Sequence, residues 1–107
     1  MTRAAMAARG EARIDVAGAA VLLRPSFAAL CAAEEELGPL FALVERAAAG
    51  GLRVAEMAAL FWHCAGGAAE RPSREAVGAA LAEAGLAGAA PALKILLGQI
   101  LQGRGTV

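Results

Sequence analysis

A chain of 107 residues has room for one hydrophobic core, so a second folded domain is not expected. Ten basic residues balance ten acidic ones and tyrosine is absent, which leaves no field to gather phosphates or anionic lipid and few rings to stack bases; nucleic-acid and membrane partners are disfavoured. Much of the 59% hydrophobic share is alanine, which buries little per residue, so the core is thin.

The first residues, 1–8, are small and unpatterned and read as a tail; the globular domain is placed at 9–102 and a second loose end at 103–107. No apolar stretch near Met1 is long enough for a signal-peptide core. Nor does any segment approach the roughly 18 apolar residues of a membrane span.

From Glu11, Ile14 and Val16 alternate with Arg13 and Asp15. Ala17-Gly18 follows, then the apolar run Val21-Leu22-Leu23, which predicts a β-hairpin within 9–25, ended by Pro25. The turn Ala17-Gly18-Ala19-Ala20 is less polar than the usual Asp-Gly or Asn-Gly. Ser26 caps a first helix reaching Leu37, with Gly38 at its C′ position and Phe27, Leu30, Cys31, Glu34 and Leu37 on one inward face. Pro39 starts a second helix, with Leu40, Leu43 and Val44 inward, ended by Gly50-Gly51. A third helix over 54–65 aligns Val54, Met57, Phe61 and Cys64 and closes at Gly66-Gly67. Ser73 caps a fourth helix that ends near Gly85, and a fifth runs over 91–102 from Pro91. The fold class is therefore mainly α (α+β): an N-terminal hairpin followed by a compact bundle of about four to five short helices over 26–102.

Few residues suggest chemistry. Glu34-Glu35-Glu36 project in three directions from a helix and cannot converge on one bond; Glu35 and Glu36 read as a solvated face, and Glu34 as a structural hydrogen-bonding or ion-pairing group. His63 and Cys64 are helix neighbours about 100° apart, so they cannot form a catalytic dyad. Cys31 and Cys64 belong to no CxxC or Cys/His cluster, which argues against zinc and a disulfide framework and for a reducing, cytoplasmic setting. The glycine pairs follow helices and lack the phosphate-loop pattern. No catalytic residue, cofactor or metal is expected. The cluster Leu60-Phe61-Trp62 covers more helix surface than one core stripe takes, so Leu60, Trp62 and His63 are the expected partner-binding residues, with Trp62 partly exposed.

The order of elements resembles the small tail protein of gene transfer agents and related phages, a family described as tail-tube associated or as a tail assembly chaperone. The matching stretches are Gly10-Glu-Ala-Arg-Ile-Asp-Val-Ala-Gly, Leu23-Arg-Pro-Ser-Phe-Ala-Ala-Leu-Cys-Ala-Ala-Glu-Glu-Glu-Leu-Gly and Phe61-Trp-His-Cys-Ala-Gly-Gly. In the family's pattern a strand leads into a helix with an inward Glu closing on Leu-Gly, and Glu34, Leu37 and Gly38 take those places. The resemblance implies a non-enzymatic role in tail assembly, with the tape measure or tail-tube protein as partner, homo-oligomers, and incorporation in a virion-like particle. The alternative is a homo-oligomeric helical adaptor unrelated to phage; a thiol or metal enzyme using Cys31, His63 and Cys64 ranks last.

Overall fold

The hairpin closes through the one tight turn its strands allow. A computed structural model describes residues 12–67 and 71–103, so most of both expected tails lies outside the described residues. Strand β1 (Ala12–Val16) runs antiparallel to β2 (Ala19–Leu23) with Val16 opposite Ala19 and Ala12 opposite Leu23. Two residues remain for the turn, Ala17 at φ 53° and Gly18 at φ 84°. Positive φ at both positions is what the right-handed twist of a two-residue hairpin demands, and Ala17 meets it at a steric cost that glycine or asparagine would not bear. The period of two puts Ala12, Ile14 and Val16 on the core face with Ala19, Val21 and Leu23. Leu22 therefore falls on the opposite face, beside Arg13.

Helix α1 (Phe27–Leu37) starts where Ser26 Oγ accepts the Ala29 N–H at 3.2 Å and stops at Gly38, φ 88°. Its buried residue is Ala33, flanked by the half-buried Ala29, Leu30 and Leu37. The expected inward stripe is thus turned by roughly a quarter of the helix circumference. Phe27, Cys31 and Glu34 are exposed, because the two alanines let α1 approach its neighbour closely where a larger side chain would hold it off. Helix α2 (Leu40–Ala48) buries Leu40 and Leu43 as its pattern requires and leaves Phe41 outside. Pro39 at its N-cap has no capping side chain, and Glu34 supplies one instead: its Oε2 accepts the Leu40 N–H at 3.0 Å. That hydrogen bond ties α1 to α2, with a helix terminus as the partner.

Helix α3 (Val54–Cys64) is the middle of the molecule, with α1 against one side and the final helix against another. A turn of 3-10 helix (Ala65–Gly67) follows and meets β2, where the Arg24 N–H donates to the Cys64 carbonyl at 2.8 Å. Helix α4 (Arg74–Gln102) begins with Ser73 Oγ accepting the Ala76 N–H at 3.0 Å and packs on β1 and α3. Gly85 breaks it at φ 81°, as expected for the end of a helix, but the backbone resumes helical geometry at Leu86 and carries Pro91 inside. The backbone is helical between Gly85 and Pro91, where the sequence suggested a loop, and Pro91, past the first turn of this segment, costs it one intrahelical bond. Val77 and Leu81 before the break, and Ala89, Ala92 and Leu96 after it, face the core. Taken without the break, the 29 residues are long and apolar enough to cross a membrane, which corrects the expectation that no segment reaches that length. The break divides them into two shorter helices, each with one face in the core.

Strain at Ala17 gives a direct test of the hairpin register. Ala17→Asn should raise stability by on the order of 1 kcal/mol in denaturant melts, and Ala17→Val should lower it, because a β-branched residue fits positive φ worst.

Candidate functional site

Of the residues on α3, the large ones are drawn inward over an unusually wide arc. Met57, Leu60, Phe61 and Cys64 form one stripe, and Ala59 and His63 extend the burial well past it. Leu60 and Phe61 are both 0% exposed. A helix enclosed on several sides has no single core stripe, so three bulky neighbours in sequence can all find cover inside one chain. Leu60, expected on a partner surface, is a core residue. His63 is 8% exposed and is likewise turned inward.

His63 is held by charge. Its Nε2–H donates to Glu36 Oε1 at 2.9 Å, and the Arg74 guanidinium grips the same carboxylate with Nη1 to Oε2 at 2.8 Å and Nη2 to Oε1 at 2.6 Å. The 3.5 Å approach of Arg74 Nη2 to His63 Nε2 joins two donors and is no hydrogen bond. Glu36 therefore links α1, α3 and the first turn of α4. The paired guanidinium, and after it the imidazole N–H, holds the Glu36 carboxyl down at about 2 against an ordinary 4.5.

Trp62 is half-buried, and the same segment covers its ring. Its indole Nε1–H donates to the Pro72 carbonyl at 3.0 Å. The guanidinium carbons of Arg71 and Arg74 stand 4.0 and 4.3 Å from the ring centroid, within cation–π range, and His63 meets the ring edge-on at 5.0 Å. Arg71 also lies against Gly66, where any Cβ would collide with its guanidinium. Trp62, His63, Glu36 and residues 71–74 together form a latch that seats the start of α4 on α3.

A second tie fixes the loop before α3. Arg46 Nη1 and Nη2 each reach one oxygen of Glu56 at 2.8 Å, and Glu56 Oε1 also accepts the Arg53 N–H at 2.9 Å. The Arg46 guanidinium, then the Arg53 amide, lowers the Glu56 pKa to about 2. Cys64 is buried, which pushes its thiol up to about 12, whereas Cys31 is exposed on α1. Among the described residues no group of three His, Cys, Asp or Glu side chains could hold a metal ion. Of the expected residues, Trp62 and His63 come together in the latch, Glu34 caps α2 and Gly38 ends α1. Glu36, Arg46, Glu56, Arg71 and Arg74 were missed in the sequence, where charges in one contact are separated by ten to 38 positions and leave no local signal.

Both carboxylates have folded-state pKa values below their unfolded ones. Their stabilisation is complete above about pH 4.5 and is lost as the pH falls toward 2. Urea melts at stepped pH should show wild type more stable than Glu36→Gln and Glu56→Gln at pH 6, with the gap closing through that window.

A family model described as phage tail tube protein, GTA-gp10, matches residues 9–103. No curated protein and no solved structure matches the chain. The matched stretch spans the hairpin and all four helices, and it sets aside the reading of an adaptor unrelated to phage. The chain belongs to the phage tail tube protein family GTA-gp10.

Proposed function

We propose that this chain serves the assembly of a phage-like or gene-transfer-agent tail as a non-enzymatic module. It meets another tail component, such as the tail-tube protein or the tape measure, in the cytoplasm, and enters the virion-like particle with it. Neither nucleic acid nor a membrane is a partner in this reading.

One observation carries the choice of surface. The chain has three phenylalanines; Phe61 fills the core, while Phe27 at the start of α1 and Phe41 at the start of α2 are 84% and 74% exposed. In a molecule short of large core residues, leaving two of its largest apolar side chains in water forgoes roughly 1.5–3 kcal/mol of burial each. Aromatic anchors of this kind contribute most when a partner covers them. These two exposed side chains, each at its own helix start, replace Leu60 and His63, whose side chains are inside, and leave Trp62 to its latch. The tightly held charges described above join elements of the fold, which supports a non-enzymatic reading.

The test is co-purification from cells producing tailed particles. The tagged wild-type chain should recover a tail component, and the double variant Phe27→Ser/Phe41→Ser should recover at least about tenfold less while melting within about 0.5 kcal/mol of wild type. Recovery of no tail component by wild type, or equal recovery by the variant, would count against the reading.

A further inference from the structure

Helix α4 is fastened at its start and joined at its middle by a single residue. The latch holds residues 71–74 on α3, and Val77 and Leu81 carry the first half of the helix into the core. The second half, residues 86–102, buries Ala89, Ala92 and Leu96, with Leu93, Ile95, Leu97 and Ile100 half-buried against the same core. Between the halves stands Gly85, at φ 81° and ψ 158°, a backbone region that glycine alone occupies without penalty. Helical geometry resumes directly on either side of it. The bend therefore interrupts a ladder of intrahelical hydrogen bonds that Ala82, Ala84, Leu86 and Ala87 are well suited to continue. No element among the described residues follows α4, so no other described element moves with its second half.

We propose that two copies of this chain exchange the second half of α4: residues 86–102 of each leave their own domain and fill the same place on the other. Gly85 then turns helical, and α4 runs unbroken from one domain into the next. The partner is fixed by the contact itself, because the place that receives Ala89, Ala92 and Leu96 fits that segment whichever chain supplies it. Each burial made in the single chain is made again in the pair, so the two forms differ chiefly at the connection and in the entropy of association. At the connection the pair is favoured. A helical Gly85 restores the interrupted hydrogen bonds once in each chain, at the ordinary cost of a glycine inside a helix. Ala82, Ala84, Ala87 and Gly88, beside the connection, are exposed and small, and leave room for two such helices to cross. A connection of one residue is the kind of hinge from which exchange arises, because the closed chain must bend sharply there and the open one need not. The exchange is independent of which tail component the chain meets.

Wild-type chain refolded from urea at on the order of 1 mM, near the effective concentration of a segment on a short tether, should show twice the 10.7 kDa mass of one chain in light scattering after size exclusion. Refolded at about 10 µM, it should show the single mass. Gly85→Ala acts on the backbone alone, since no atom lies within 4 Å of the added Cβ; it disfavours the bend and favours the helix. It should lower the concentration at which half the chain is dimeric at least about tenfold. Inserting Gly-Ser-Gly-Ser after Gly85 lets the closed chain bend freely and should leave it at the single mass even at about 1 mM. Circular dichroism confirms that each variant is folded, and should Gly85→Ala fail to fold, the wild type and the lengthened chain decide. A wild-type chain that keeps the single mass at the higher concentration overturns the proposal. So does a dimer that forms equally in the lengthened chain, since contact between outer surfaces is indifferent to the connection. A folded Gly85→Ala chain that dimerises no more readily than wild type also overturns it.

Discussion

Enclosure of α3 is the constraint on which the remaining structure depends. An alanine-rich chain has few large side chains, and this one concentrates four of its buried residues, Met57, Leu60, Phe61 and Cys64, on a single helix of 11 residues. Helices α1 and α4 are the elements that pack against them. Helix α1 comes close because Ala29 and Ala33 lie at its contact, α4 covers a second side, and the hairpin is joined through Arg24 to the helix end. Small residues at the periphery and large ones at the centre allow a domain of this size to reach close packing with so little aliphatic bulk.

The charged residues serve the same end. Glu34 completes the unsatisfied first turn of α2, Arg46 and Glu56 clamp the passage from α2 into α3, and Glu36 holds His63 and Arg74 together across three helices. Trp62 closes the one side of α3 that its neighbours leave open, through the Pro72 carbonyl and two guanidinium groups. Exposed ion pairs contribute little individually. Their effect here is geometric: they fix where each helix begins relative to α3.

The hairpin, the serine caps and the glycine stops were legible in the sequence because local chemistry dictates them. Ser26, Gly38 and Ser73 act where periodicity and capping rules put them. Which face of α1 turns inward was not legible. Ranking by size selected Phe27 and Cys31, whereas the contact is centred on an alanine, and only the partner helix reveals that closeness of approach won over bulk. The outward assignment of Leu60 failed for a related reason: a single-stripe rule presumes a helix with one covered side. Glu36 was read as solvated because its partners lie 27 and 38 residues away.

Two exposed phenylalanines leave large apolar side chains outside the enclosed helix, one on α1 and one on α2, and the proposed partner contact rests on them. The division between an interior α3 and an outer contact surface is the centre of this account, and Leu60 is where it is most exposed to test. Thermal and urea melts of Leu60→Ala should show a loss of roughly 2–5 kcal/mol, the cost of a cavity in a packed core. A variant that melts like wild type and fails only to bind a tail component would contradict it, since Leu60 would then belong to the partner surface.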